Sequence, residues 1–546
     1  MSYRLIRRTQ ERLSHERRPE LKSPEGRVHF AVSFPNTYFV GMSNLGLHAV
    51  YHHVNAHPFA VCERVFLPDA ADLDELNSNN TPLFSLESQK LIRDFHMVGF
   101  SLSFEEDYIR VLRILQLSHI PLHVADREDL HPIVIAGGPC ASYNPEPMTE
   151  FIDVFAIGDG EPLIPAILET LHPLYYPSGG NPRATRLELL ESLSKIEGLY
   201  VPSVTGYGHP VRRQSVEDIN AHPADTQVFT PDTEFANVHL VEIARGCFRR
   251  CRFCAIPYST RPLKMATSER VLEVARLHRC ATDRVGLVGA SVSDYRDITR
   301  LVTQLADEGF GVQLPSLRSD RLSEEFLDAI WGGGQRSITI APEAATDRLR
   351  SVVSKSIPNE QIIESVARAA HRGFRHIKLY FMIGLPGESQ EDIDAFGPFI
   401  GAILKEARNV DRIAVTVNPF IPKPWTPMQW AGMDRPGSLQ KKSSAIRDMF
   451  SGEKRVEVRV TGVRWGQVQT MLSIGEASIG RVIGRAFELG GFFRYWRQAA
   501  NDCGIDWDTV IHGGRPADFQ FPWDHINTGT SKARLRLDLE KCELTR

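Results

Sequence analysis

Two successive series of short β-rich runs, alternating with helix-patterned segments, constrain this chain more than any other feature. In the first series VHFAVSF (28–34), MVGFSLSF (97–104), PIVIAGG (132–138) and DVFAIGDG (153–160) read as strands ending in small residues. Segments such as YIRVLRILQLS (108–118) between them are apolar at helical spacing. That rhythm predicts a doubly wound, Rossmann-like parallel sheet. The second series comprises VHLVEIA (238–244), RVGLVGAS (284–291), GVQLPSL (311–317), RSITIAP (336–342), HIKLYFMIG (376–384) and RIAVTVNPF (412–420), separated by helical stretches such as SERVLEVARLHRCA (268–281). Six strand–helix units in so short a span predict a partial (β/α)6 barrel rather than a closed eightfold one. The α/β reading divides the chain into an Arg-rich extension (1–27), a doubly wound domain (28–204), a polar, Pro-bearing linker or extended connection (205–235), a partial barrel (236–430) and a mainly helical region (431–546). The last contains one strand-like run, RVEVRVTGVRW (455–465).

A chain of 546 residues exceeds one ordinary core, which agrees with several domains. The balance of 63 Lys and Arg against 67 Asp and Glu gives no electrostatic footprint for general nucleic-acid binding, and no nucleic-acid-binding module is recognisable. The first 26 residues are charged throughout, unlike a secretory signal, and no apolar run has the length of a membrane span. A cytoplasmic location, with no membrane partner, is the expectation.

Of eight cysteines, Cys62, Cys140, Cys280, Cys503 and Cys542 stand singly, while Cys247, Cys251 and Cys254 fall within eight residues. At the chain's cysteine frequency a C-x3-C-x2-C pattern arises by chance on the order of 0.002 times, so ligation of a metal or cluster is favoured. The motif directly follows the first strand of the second series, and loops at the carboxyl ends of barrel strands are where such barrels carry chemistry. Three thiolates can hold three irons of a cubane and leave the fourth open, whereas an electron-transfer cluster usually has four cysteines. Zinc with a distant fourth ligand is the alternative.

Cys247-Phe248-Arg249-Arg250-Cys251-Arg252-Phe253-Cys254 resembles the signature of the radical S-adenosylmethionine (SAM) superfamily, with Phe253 as the aromatic before the last cysteine. The resemblance implies a [4Fe–4S] cluster held by Cys247, Cys251 and Cys254. SAM would chelate the open iron and be cleaved reductively to a 5′-deoxyadenosyl radical, with an electron donor such as flavodoxin or ferredoxin as partner. It further implies SAM contacts at Gly289 and Ser291 after the second strand, where the family's acidic residue is missing, at Glu343 after the fourth, and at Ile383 and Gly384 after the fifth. Asn418–Pro427 is similar to the proline-rich sixth-strand exit of several subfamilies.

The preceding doubly wound domain resembles the cobalamin-binding or cobalamin-like domain of class B members, in an uncharacterised branch. Asn36–Gly41, Ser101-Leu102-Ser103 and Gly137-Gly138-Pro139 stand at the module's three motifs, and Gly158-Asp159-Gly160-Glu161 at its last strand end. Tyr38 occupies the position of the cobalt-ligating His, and phenol is a poor replacement for imidazole at neutral pH. The resemblance therefore implies either cobalamin bound base-off above Tyr38, its tail passing Ser101, Gly137 and Gly138, or a relic domain. Methyl transfer to an unactivated carbon of an unknown substrate is the leading expectation. The alternatives are a cobalamin-independent radical rearrangement or oxidation, methylthio transfer to RNA or protein, and a non-enzymatic iron–sulfur protein.

Overall fold

The structure is a computed structural model describing residues 3–178, 182–221 and 223–543. Its first sheet contains β1 (Val28–Phe34), β2 (Ala60–Phe66), β3 (Met97–Ser101), β4 (Ile133–Gly137), β5 (Val154–Ala156) and β6 (Leu199–Tyr200), in the spatial order β2-β1-β3-β4-β5-β6. All neighbours are parallel except β5 and β6. Strand order reverses at β1, so a crevice opens at the carboxyl ends of β1 and β3, the usual ligand position in such sheets. The helices Leu45–Ala56 and Gly160–Tyr175 cover one face and Tyr108–Leu117 the other.

Strand β2 was not legible in the sequence because AVCERVF carries two charges in its middle. Both are buried and compensated. Glu63 accepts hydrogen bonds from Ser85 and Ser88, while Arg64 donates to Glu16 and Glu87. Glu16 belongs to the Arg-rich extension, which is thereby fastened to the domain; the helix Tyr3–Ser14 within it buries Leu5.

The connection 205–235 runs extended along both halves of the molecule. Its short strand β7 (Val211–Arg212) pairs in parallel with a distant C-terminal segment (526–527), Gln214 bridges Gly158, and Asp225 bridges Val241.

The second half builds an open parallel barrel from β8 (His239–Glu242), which β9 (Ala244–Arg245) and β10 (Lys264–Met265) follow as a small antiparallel pair. The barrel continues through β11 (Arg284–Val288), β12 (Gly311–Gln313), β13 (Ser337–Glu343), β14 (His376–Ile383) and β15 (Arg412–Pro419). A parallel bridge between Leu317 and Ile340 joins the two parts of the sheet. The sheet then gains a seventh parallel strand, β16 (Val456–Val460), from the region expected to be mainly helical. Burial alternates along β14: Ile377, Leu379, Phe381 and Ile383 are fully buried beneath the outer helices, whereas His376, Lys378 and Tyr380 are exposed on the inner face. A closed barrel fills its interior with side chains; this one leaves the interior open.

The C-terminal helices bind the two halves into one body. In the helix Val463–Ile474 every residue from Gly466 onward is buried, and Gln469 donates to Glu105 of the first domain. Asn144 donates to the carbonyls of Ser473 and Gly475 at that helix's end. One hydrophobic core runs from the first sheet through the barrel into these helices. A last short strand, β17 (Ile526–Asn527), is the partner of β7.

Candidate functional site

The cysteine loop leaves the barrel at Gly246, whose φ of +90° and close approach to the Thr260 carbonyl, 2.5 Å from where a Cβ would lie, admit no side chain. From there the loop is held at several points. Arg249 donates twice to the Asp294 carboxylate (2.9 and 2.5 Å) and stacks on Phe248. Arg252 donates from its backbone to Val353 and from its guanidinium to the carbonyls of Ser351 and Val352. Tyr258 donates to the Arg250 carbonyl. Phe253 is half-buried against the main core.

Cys247, Cys251 and Cys254 are half-buried. Burial pushes the Cys254 thiol up to about 12, and the neighbouring Cys251, Cys247 and Glu343 add to the effect. Burial likewise raises Cys251, against the opposing charge of Lys355. Three such thiols ionise together only on binding strongly cationic metal centres.

Around this loop lie several of the residues expected to contact SAM. Glu343 ends β13 at a register shift, with φ of +72°, and pairs with Lys355 at 2.8 Å. A bulge of this kind re-aims a side chain, and Glu343 is close enough to Cys251 and Cys254 for its charge to raise both thiols. Gly289 approaches the Ala244 carbonyl, next to the start of the loop. Ser291 donates to Asp294 at 2.7 Å, as does Arg321 at 3.1 Å. Burial disfavours the charge on Asp294, but Arg249, Ser291 and Arg318 outweigh it and hold the carboxyl below its usual range. Asp294 is an acidic group in the turn that follows the second barrel strand, and its partners tie it to the cysteine loop.

Ile383 is a correction. It lies on the fully buried, helix-facing side of β14, so its side chain is core and does not face the open interior. Gly384 follows with φ of +78° and donates its backbone N–H to Glu388 (2.9 Å), a buried carboxylate paired with Lys442. The Pro-Gly-Glu that follows β14 thus shapes the turn.

A cavity of about 420 Å³ opens at the carboxyl ends of the first sheet and reaches the barrel. Ser101, Gly137 and Gly138 line it, as do Gly158–Glu161, and Glu242 and Arg245 close it from the barrel side. Gly138 has φ of +97°, and a Cβ there would meet the Leu102 carbonyl at 2.8 Å, whereas one on Gly137 would meet nothing nearer than Ala156 at 3.8 Å. Gly138 therefore serves the backbone, and Gly137 leaves space.

Tyr38 is the second correction. It does not line this cavity: it is buried, donates to Glu16 at 2.5 Å, lies beneath Arg12 and meets Phe66 edge-on. Burial and Glu16 push its phenol well above the ordinary range. His53 is the histidine of the following helix that lines the cavity.

Sequence reasoning missed Arg245, immediately before Gly246. Its guanidinium donates to Glu161 (2.7 and 3.1 Å) and Glu242 (2.9 and 2.7 Å) and lies 3.3 Å from Asp159, which also takes Arg213. This network joins the wall of the cavity to the root of the cysteine loop. Its partners lie in two domains, so no sequence spacing reveals it.

Residues 241–397 match the family described as the radical SAM superfamily, and residues 46–202 match radical SAM proteins, N-terminal. Uncharacterized protein MJ0966 of Methanocaldococcus jannaschii is 29% identical over 433 residues, 78% of this chain and 83% of that protein. Ribosomal protein uS12 methylthiotransferase RimO of Pseudothermotoga lettingae is 26% identical over 173 residues, covering 29% of this chain and 40% of its own length. Among solved structures, the radical SAM methyltransferase TsrM of Kitasatospora setae, with tryptophan and a SAM analogue bound, superimposes with a TM-score of 0.52 at 14% identity, covering 87% of this chain and 98% of that one. No helix among the described residues is long and apolar enough to cross a membrane.

Proposed function

The chain belongs to the radical SAM superfamily and is an enzyme of that class, and from that premise we propose cobalamin-dependent methyl transfer to an unactivated carbon. In this reading Cys247, Cys251 and Cys254 hold a [4Fe–4S] cluster, and Glu343 and the Gly289–Ser291 segment line the SAM pocket. Cobalamin occupies the cavity between the first sheet and the barrel. When bound, the cluster supplies the electron that cleaves SAM and cobalamin carries the methyl group.

The observation that carries the reading is the cavity itself. It lies at the strand-order reversal, is lined by glycines and apolar side chains, and is walled on the barrel side by the residue preceding Gly246-Cys247. A group seated there contacts the root of the cysteine loop. The shared fold with TsrM, solved also with cobalamin and a [4Fe–4S] cluster bound, supports the same arrangement. The chain's own residues then have definable tasks. Gly137 leaves room for the nucleotide tail, Arg245 holds the cavity wall against the loop, and Asp294 fixes Arg249 and with it the loop. The open inner face of the barrel, with Lys378 and Tyr380 on it, admits the substrate.

Methylthio transfer fits less well. A second cluster would need further grouped cysteines, and in the first domain Cys62 and Cys140 are buried and separate. The test is anaerobic reconstitution with hydroxocobalamin, followed by SAM turnover. Corrin retention with 5′-deoxyadenosine formation supports the proposal. Full SAM cleavage with no corrin bound leaves a cobalamin-independent radical reaction.

A further inference from the structure

At the opposite end of β8 from the cysteine loop, three potential metal ligands converge. Asp225 comes from the interdomain connection, His239 opens β8, and His278 caps the carboxyl end of the helix Ser268–Leu277. Their ligand atoms all lie within 4.8 Å of one another. Both imidazoles address the same carboxylate oxygen: His239 Nε2 lies 3.0 Å and His278 Nε2 3.5 Å from Asp225 Oδ2. A tetrahedral zinc site with metal–ligand bonds near 2.05 Å has ligand–ligand edges of about 3.3–3.4 Å. The two distances straddle that edge.

The surroundings match those of a ligand set. The other carboxylate oxygen of Asp225 accepts from Gln227 Nε2 at 2.5 Å, and Gln227 Oε1 meets His52 Nδ1 at 2.9 Å, so the carboxylate is oriented from behind. Phe229 packs on both imidazoles and shields them. His239 is 1% exposed, and its Nε2 is the ring nitrogen directed at Asp225. His278 sits at a helix carboxyl end, where the backbone dipole favours a cation, and its side chain is 34% exposed, which leaves a coordination position open to water.

We propose that Asp225, His239 and His278 form a binding site for a first-row divalent transition metal, zinc being the best match to two imidazoles and one carboxylate. The site is separate from the iron–sulfur site and independent of the proposed reaction. Its role is to fasten the connection to the barrel. Residues 224–226 already pair with β8 through Thr226 N–H to the Leu240 carbonyl and Glu242 N–H to the Ala224 carbonyl, and the metal locks that added edge in place.

The test uses the full chain with its [4Fe–4S] cluster in place, so that the cysteines are occupied. Cobalt(II) is the probe, because four-coordinate cobalt absorbs far more strongly in the visible than octahedral cobalt. Difference spectra on adding cobalt should show one such site per chain, displaced by zinc. His278→Ala, at a partly exposed position, and Asp225→Asn should each weaken it by about tenfold or more while iron and sulfide content stay unchanged. Zinc X-ray absorption should show a nitrogen and oxygen shell without sulfur. No cobalt retained at about 50 μM, equal retention by both variants, or sulfur in the zinc shell would each overturn the assignment.

Discussion

Replacing Asp294 by Asn isolates what holds the cysteine loop. The side chain is 1% exposed and takes two hydrogen bonds from Arg249, one from Arg321 and one from Ser291. Asn keeps the size, removes the charge and turns donors toward two guanidinium groups. Breaking a buried ion pair costs about 3–5 kcal/mol. Arg249 is 24% and Arg321 51% exposed, so solvent screens part of this and about 2–3 kcal/mol remains. If iron is lost through an opened loop, that difference raises the opening equilibrium, and the rate of chelator-driven iron loss, about 30- to 150-fold. The assay is anaerobic iron release to a chelator, followed by the decay of cluster absorbance, with Asp294→Glu as the conservative control. Unchanged iron release in Asp294→Asn, accompanied by a raised KM for SAM, would refute the anchoring role and make Asp294 a SAM contact instead.

Gly137→Leu should lower hydroxocobalamin affinity about tenfold or more, since it fills the cavity without backbone strain, and should leave the cluster spectrum intact; unchanged affinity removes the tail from that path. Tyr38→Phe should cost about 1–2 kcal/mol in urea unfolding, by taking a hydrogen bond from the buried Glu16, yet leave the bound-corrin spectrum unaltered. A spectral shift would return Tyr38 to the cofactor. Burial draws His48 down to about 4, with the Met42 carbonyl opposing and Arg64, Asp225 and Glu16 nearby. Because that value lies below the unfolded 6.5, the unfolded chain binds more protons between pH 6.5 and 4. The contribution is present above pH 6.5 and lost as pH falls, up to about 3 kcal/mol. His96, drawn down to about 3, acts in the same direction. His48→Gln should flatten the fall in the urea midpoint between pH 7 and 5, and an unchanged slope assigns the loss to other groups.

The alternation of strand and helix announced both sheets because strands buried on both faces are near-continuous apolar runs. It failed at β2, where Glu63 and Arg64 are buried with partners supplied from Ser85, Ser88, Glu16 and Glu87, none of them near in sequence. It also stopped the barrel one strand early, because β16 is an edge strand of alternating Val and charged residues within an otherwise helical region. At the candidate site the cysteine spacing was legible since all three ligands share one loop. Asp294 was not, because it lies in the following turn, three residues beyond Ser291. Arg245 gains its meaning only when Glu161 and Asp159 arrive from the other domain. Ile383 was misassigned because residue identity does not disclose which face of β14 it occupies, and one residue in a strand separates core from cleft. Tyr38 followed from motif alignment, while its buried partner Glu16 lies in the Arg-rich extension.

The central claim is that one cluster and one corrin share a single active site between the two halves. The most direct test is to measure iron, sulfide and corrin per chain on the same sample after anaerobic reconstitution with cobalamin, alongside Cys247→Ala/Cys251→Ala/Cys254→Ala. The account predicts about four irons, about four sulfides and one corrin in the parent chain, and only the corrin in the triple variant. About eight irons, or iron retained by the triple variant, or a fully loaded cluster with no corrin, would contradict it.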